Sequence, residues 1–413
     1  MDIFSSQRRV AITGMGAVSP FGRGVSELSR GIVEGRSAVV ALDELADYGG
    51  LRTRLAALVP GVDGKEIARK KRRSMSPQSV FAVLAAGEAL IQAALPEVEY
   101  GGGRYGVAVG TTISSLTTSE SFFADHFRDK SFARMKTSLF FKTMNHSAAA
   151  NVAHFFGLEG RLLAPAAACA TGCQALGYAY EMIASGVQDA MICGGTEEFH
   201  PLSAATFDLM NAASFRYNDQ PDIASRPFDK QRDGVVCGEG AGVLVLEDWQ
   251  SAKDRGAEIL AEIVGFATLT ETGSIAEPSS GAMQRCMSLA LADAGVKAGE
   301  IDYINAHATA TEKGDIAEAQ ALAGLFGDQV PVSSLKGHLG HTLAASGGLE
   351  TIATIEMMRL GELWPTRNLV EIDPQCQGPQ IFTGIKKSKA RLALKNNFAL
   401  GGVNCSLVIR VKE

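Results

Sequence analysis

The 413-residue sequence is short of three things. No uninterrupted apolar run approaches the ~18 residues that a membrane-spanning helix requires, which argues against a membrane protein. Positive charge is not in surplus: 39 Lys and Arg stand against 45 Asp and Glu, for a formal net charge of −6. That balance leaves no global electrostatic footprint for nucleic acid. Cysteine is sparse and unpaired. The seven residues, at 169, 173, 193, 237, 286, 376 and 405, are an odd number without a CxxC pair, as expected of reduced thiols rather than a disulfide framework. The stretch Met1–Arg9 has no long apolar core of the kind a signal peptide carries, so a cytoplasmic location is expected.

What is present is apolar material for a large core, 46% of residues, in a chain long enough for two or three structural units. The 45 glycines and the Ala-rich helical stretches suit elements packed backbone to backbone. Buried-strand patterns occupy Val10 to Gly14, Tyr105 to Gly110, residues 162–168, Ala190 to Cys193 and, as a strand pair, Val235 to Leu246. Helical spacing covers Ser26 to Gly35, Pro77 to Ala94, residues 146–156 and the segment after Cys169. Residues 111–145, first Thr/Ser-rich and then aromatic, read as an irregular insertion. The second half repeats the grammar, with strands Ile259 to Phe266, Tyr303 to Ala306 and Val332 to Ser334, and helices Gly281 to Ala294, 313–325 and Leu343 to Leu360. A duplicated α/β unit with one site between its halves is the expected architecture.

The most informative residue is Cys169, where a run of small residues gives way to a helix pattern in Ala168-Cys169-Ala170-Thr171-Gly172. A thiol on a first helical turn faces unpaired N–H groups and the positive end of the dipole, which favour the thiolate. Far downstream, His307 follows a strand in Asn305-Ala306-His307, and Lys336, half-buried at a strand's end, precedes His338 and His341. Taken singly, each has an ordinary structural explanation: a core thiol, a packed or capping histidine, a surface lysine. Their recurrence at equivalent strand-to-helix points favours an acyl-transfer constellation. The HxxH spacing of His338 and His341 raises a metal site, but no third ligand lies near in sequence. The block Arg69-Lys70-Lys71-Arg72-Arg73 is either a solvated helix terminus or a dock for an acidic partner.

Several long motifs then carry a resemblance. Ala168-Cys169-Ala170-Thr171-Gly172, Asn305-Ala306-His307-Ala308-Thr309-Ala310-Thr311, Ser333-Ser334-Leu335-Lys336 with Gly340-His341, and Asn397-Phe398-Ala399-Leu400-Gly401-Gly402-Val403-Asn404 stand in the order found in β-ketoacyl-acyl-carrier-protein synthases. With Ser225-Arg226-Pro227-Phe228-Asp229 and Gly238-Glu239-Gly240-Ala241-Gly242, the whole chain resembles that family, most nearly its elongating, synthase II type. The resemblance implies an α/β, thiolase-like fold of five α-β-α-β-α layers. Residues 1–254 would hold the nucleophile and an inserted dimer and substrate segment, and 255–413 the two histidines. It implies that Cys169 takes an acyl chain from acyl carrier protein, and that His307 and His341 bind a malonyl thioester as CO₂ leaves. Lys336, Glu350, Thr309 and Thr311 would support them, with the N–H groups of Cys169 and Leu400 as an oxyanion hole beside Phe398. Ile113 would line the acyl pocket, and Lys70, Arg72 and Arg73 would dock the carrier. No cofactor and no metal are implied. The partners are the carrier, its acyl and malonyl thioesters and a second copy of the chain, with neither nucleic acid nor membrane.

The sequence departs from the family pattern at Ala399-Leu400, where a glycine-phenylalanine gate is usual, and at Ala308, where glycine is usual. Losing the ring opens the pocket mouth and losing the glycine stiffens the loop. The competing enzyme is a ketosynthase of a type II polyketide or polyene pathway, paired with a chain-length partner. A degradative thiolase needs a second reacting cysteine, for which only Cys405 is a C-terminal candidate. A non-catalytic partner subunit would lack the nucleophile.

Overall fold

The computed structural model describes residues 7–133 and 135–411, so most of the Met1–Arg9 stretch lies outside the described residues. Twelve strands form one mixed sheet: β1 Val10–Ser19, β2 Gly22–Arg23, β3 Tyr105–Gly110, β4 Leu162–Leu163, β5 Ala190–Glu197, β6 Gly240–Asp248, β7 Ala261–Thr270, β8 Tyr303–Asn305, β9 Pro331–Ser333, β10 Gln380–Ile381, β11 Leu392–Phe398 and β12 Val403–Arg410. The spatial order is β10-β9-β8-β11-β12-β7-β1-β6-β5-β3-β4, with β2 paired to β1.

That order is a duplication. In the first half β4, β3 and β5 run parallel, and β6 and then β1 follow antiparallel. In the second, β9, β8 and β11 run parallel, and β12 and then β7 follow antiparallel. Successive strands of the halves thus take the same places, and the two sheets join edge to edge where Val10–Ile12 pairs with Ala261–Ile263. The helices Pro77–Ala93 and Ser147–Phe156 cover one outer face. Ser280–Ala294 and Glu312–Phe326 cover the other. Between the half-sheets lie Thr171–Ala184 and Ser346–Leu360, buried along most of their length, which completes five layers.

These two central helices cross with their backbones in contact. A Cβ at Gly172 would stand 2.5 Å from the Ala344 carbonyl oxygen, and one at Gly347 would stand 2.2 Å from the Cys173 nitrogen. Only glycine permits that approach. The turns ahead of the two helices are thereby brought side by side.

Several sequence expectations are corrected. Residues 111–145 are not irregular but hold the helices Leu116–Asp129 and Thr137–Lys142. Ser115 caps the first by accepting the Thr118 N–H, so the Ser/Thr-rich stretch is a helix start rather than a loop. The strand expected over 162–168 ends at Leu163, since Pro165 has no N–H to extend a ladder. The pair expected over Val235 to Leu246 is one strand, β6. Val235 and Cys237 instead make isolated bridges to Ala213 and His341. β1 runs five residues beyond Gly14 to Ser19, all buried.

The helix crossing gives a direct test. Gly347→Val should lower stability by roughly 2–4 kcal/mol through overpacking. Gly281→Ala, where nothing lies within 4 Å of the new Cβ, should raise it by about 0.5 kcal/mol. Denaturant midpoints of the two variants measure the contrast.

Candidate active site

Cys169 follows β4 on a short 3₁₀ turn, Ala168–Ala170, that opens the helix Thr171–Ala184. Ala168 has φ 46°, and Leu343, at the equivalent turn of the second half, has φ 49°. A side chain in this left-handed region costs about 1–2 kcal/mol, strain held by the surrounding packing. Thr171 locks the first turn: its Oγ1 donates to the Ala168 carbonyl at 2.7 Å and accepts the Ala167 N–H at 2.8 Å.

His307 ends the segment after β8, and the buried Glu318 carboxylate accepts its backbone N–H at 2.8 Å and that of Ala308 at 2.6 Å. His341 donates its N–H to the Val236 carbonyl at 2.7 Å, and its own carbonyl accepts the Gly238 N–H at 2.8 Å. Both rings are therefore placed by their backbones. The Cys169 sulfur and one ring nitrogen of each histidine lie within 4.8 Å of one another. The rings are edge-on at 5.2 Å and 82°, and Phe398 stands 6.2 Å from His307. Neither ring nitrogen of His341 has a hydrogen-bond partner, although the residue is only 1% exposed.

Lys336 is wholly buried, not half-buried as the sequence suggested, and its Nζ donates to Glu350 Oε1 at 2.6 Å. Lys395 approaches Glu350 Oε2 at 2.7 Å, an ion-pair distance outside hydrogen-bond direction. Glu350 thus pairs with two lysines and makes no hydrogen bond to His341, so its expected support of that ring is indirect. His338 is turned away, with its nitrogens near the carbonyls of Arg36 and Pro365. The HxxH pair therefore does not converge. The separation within Cys169, His307 and His341 would instead admit a thiophilic cation, a set invisible in local spacing.

Burial dominates the electrostatics. It holds both imidazoles well below their usual range, helped by the nearby Lys336 charge, so both are neutral at pH 7. It also pushes the Cys169 thiol up to about 12, against the pull of Lys336. The standing thiolate expected from the helix N-terminus is corrected: in this dry site desolvation outweighs the dipole, and the resting sulfur keeps its proton. Glu197, raised by burial to about 7, was missed from the sequence. Its Oε2 accepts the N–H groups of Thr112 at 3.1 Å and Ala344 at 3.2 Å, tying a turn of the first half to one of the second. Glu197 ends β5 as Phe398 ends β11, and that equivalence is a signal only the strand register supplies.

The remaining candidates fall as follows. Thr309 and Thr311 share a 3.0 Å hydroxyl contact at the loop after His307. Leu400 is 41% exposed at the turn between β11 and β12, and Ile113 is 47% exposed beside Thr112, whose hydroxyl reaches the Ala168 carbonyl at 3.4 Å. Lys70 and Arg73 are exposed at the short helix Arg69–Arg72, whereas Arg72 is half-buried with one guanidinium nitrogen enclosed. Cys405 lies against Cys173, sulfurs 2.9 Å apart, rather than in the Cys169 cluster.

Fold and site together define a thiolase-like acyl-transferring enzyme. The chain belongs to the β-ketoacyl synthase family: its N-terminal domain model matches residues 7–252 and its C-terminal domain model residues 260–370. The 3-oxoacyl-[acyl-carrier-protein] synthase 2 of Vibrio cholerae is 37% identical, over 98% of this chain and 99% of that protein. A β-ketoacyl synthase structure from Burkholderia phymatum is 43% identical, with TM-score 0.95 over 98% of this chain and all of that one. A type II polyketide ketosynthase solved with its acyl-carrier protein and a bound hexaketide is 30% identical, with TM-score 0.91 over 98% of this chain and all of that one. No helix of the described residues is long and apolar enough to cross a membrane.

With its thiol raised, Cys169 should be alkylated by iodoacetamide at a rate that keeps climbing between about pH 7 and pH 10, without levelling at the ordinary thiol value near 8.5. Lys336→Met should slow alkylation at fixed pH by roughly tenfold, because it removes the charge that favours thiolate. Peptide mass mapping of Cys169 against time checks both.

Proposed function

We propose that the chain condenses an acyl group, carried as a thioester on Cys169, with malonyl-acyl-carrier protein to give 3-oxoacyl-acyl-carrier protein and CO₂. The observation that carries this is the convergence, within 4.8 Å, of a sulfur from the first half and two neutral imidazoles from the second.

In the first step Cys169 attacks the acyl thioester of the carrier. Its proton passes through an unpartnered nitrogen of His341 to the departing carrier sulfur. The tetrahedral oxyanion forms between the N–H groups of Cys169 and Leu400, a stabilisation of roughly 3 kcal/mol per donor in comparable sites. In the second step His307 and His341 donate hydrogen bonds to the malonyl thioester carbonyl. Negative charge collects on that oxygen as CO₂ leaves, and the resulting enolate carbon attacks the Cys169 thioester, breaking its acyl–sulfur bond; the released Cys169 sulfur takes a solvent proton through His341 to return to the thiol. Neutral imidazoles suit this role, since each offers an N–H donor without the desolvation penalty of a buried imidazolium. The chemistry calls for no metal or cofactor.

Lys70 and Arg73 would meet the acidic carrier, with Arg72 contributing less because it is half-buried. A cytoplasmic homodimer fits the seven free thiols and the exposed rings of Phe127, Phe132 and Phe140, a surface of the kind a second copy covers. A division near residue 254 would put the nucleophile and the imidazoles in separate halves. Leu400 at the mouth, in place of a ring, would widen the acyl entrance. The ketosynthase of a type II polyketide pathway remains the second reading, favoured by the likeness to the hexaketide-bound enzyme. Its catalytic steps are the same.

Intact-mass measurement after incubation with a panel of acyl-carrier thioesters tests the reading. One acyl mass on Cys169, absent in Cys169→Ala, is expected, with bulkier or stiffer chains loaded best. No adduct from any member contradicts it. Lys70→Glu with Arg73→Glu should raise KM for carrier-bound substrate about tenfold while sparing pantetheine analogues, and equal loss on both would remove the docking role.

A further inference from the structure

Lys395 and Asn397 point inward from β11 and are completely buried, yet no step of the condensation uses them. Lys395 Nζ reaches the Asn396 carbonyl at 2.5 Å and the Asn397 side-chain oxygen at 2.8 Å, besides its ion pair with Glu350. An ammonium group only donates, so the atom of Asn397 facing it must be the oxygen, and the amide cannot be flipped. Its nitrogen, Nδ2, is left to face Ser346 Oγ at 3.2 Å and His307 Nδ1 at 3.4 Å. Ser346 Oγ already donates to the Leu343 carbonyl at 2.7 Å, so it accepts from Asn397. An amide nitrogen has two hydrogens and no acceptor capacity. His307 Nδ1 is therefore the acceptor, and in the neutral ring the proton must sit on Nε2.

We infer that Lys395 and Asn397 are positioning residues that fix the Nε2–H tautomer of His307, and with it the hydrogen-bond donor offered to the malonyl thioester carbonyl. The role rests on the condensation proposed above. It also explains the division of labour between the histidines: His307, with Nδ1 occupied and Nε2 protonated, has no lone pair free to take the Cys169 proton. His341, whose nitrogens are unpartnered, takes it.

The two half-reactions separate this role from a structural one. Asn397→Asp keeps the shape but replaces the donor with an acceptor, so neutral His307 must turn Nδ1–H toward the carboxylate and present a bare Nε2 to the substrate. Malonyl decarboxylation at pH 8 should fall at least about 100-fold, the scale of a wrong-tautomer imidazole, while transfer of an acyl group onto Cys169 stays within about twofold. The charged or titratable groups facing His307 are Cys169, Lys336, His341 and Lys395, with Glu318 on its backbone. A new carboxylate among them raises the ring's affinity for a proton. His307 in the variant therefore takes up its second proton at a higher pH than in wild type, so that on acidification its Nε2–H returns and decarboxylation recovers relative to wild type. Lys395→Met, which frees the Asn397 amide to flip, should lose roughly tenfold in decarboxylation alone. It carries the test if Asn397→Asp does not fold.

Both half-reactions are followed on the full chain, by intact mass for acyl transfer and by CO₂ release from malonyl-carrier protein. Equal loss of the two steps, or decarboxylation unchanged in the variants of an active wild type, overturns the relay and leaves the condensation standing. A wild type that transfers acyl groups but releases no CO₂ overturns both.

Discussion

The molecule depends on the contact between two helix backbones. Thr171–Ala184 and Ser346–Leu360 belong to different halves of a duplicated chain, and they touch where Gly172 and Gly347 have no side chain to keep them apart. Around that crossing the fit is equally close: a Cβ at Gly195 would fall 1.9 Å from the Ala344 oxygen, and one at Gly242 would fall 2.2 Å from the Leu349 nitrogen. The crossing draws two strand-to-helix turns against each other, each pinned by a left-handed residue just ahead of its helix. Without it Cys169 and His341 would sit on separate half-barriers of backbone, each chemically ordinary.

Duplication then lets equivalent places carry different chemistry. The turn after β4 gives Cys169, and the turn after its counterpart β9 gives Lys336 with His341. The turn after β3 gives Thr111–Ile113, and that after its counterpart β8 gives His307. β5 ends in Glu197, and its counterpart β11 ends in Phe398. Burial tunes all of them in one direction, toward neutral forms: thiol rather than thiolate, imidazole rather than imidazolium, and a carboxyl raised to about 7 at Glu197. The ion-paired side chains of Lys336, Glu350 and Lys395 face one another. Such a site stabilises charge as it appears on a substrate oxygen, with little water to compete.

Much of this was legible in the sequence, and the exceptions have physical causes. Strand-to-helix transitions marked Cys169, His307 and Lys336 because small residues and abrupt changes of period are local signals. The duplication was visible as a repeated grammar, but the strand order that pairs Glu197 with Phe398 is a property of the sheet. Lys395 was overlooked because a lysine inside an apolar strand has no local signature; Glu350, brought to it by the fold, joins the neighbouring Asn396 carbonyl and Asn397 side chain in pairing its ammonium group. The raised thiol had the same origin. Helix polarity can be read from sequence, whereas desolvation depends on everything packed around the sulfur. The aromatic stretch after Ile113 misled in the opposite way, since its serines and threonines cap a helix rather than break one.

The central claim is that one cavity joins a chain held on sulfur to a carbon freed by loss of CO₂. Rapid mixing of Cys169-acylated protein with malonyl-carrier protein bearing ¹³C in its free carboxyl tests that most directly. Loss of the acyl group from Cys169 should match, mole for mole, the appearance of labelled CO₂ and of the lengthened chain on the carrier. Release of the acyl group as free acid, with the label still on malonate, would contradict it.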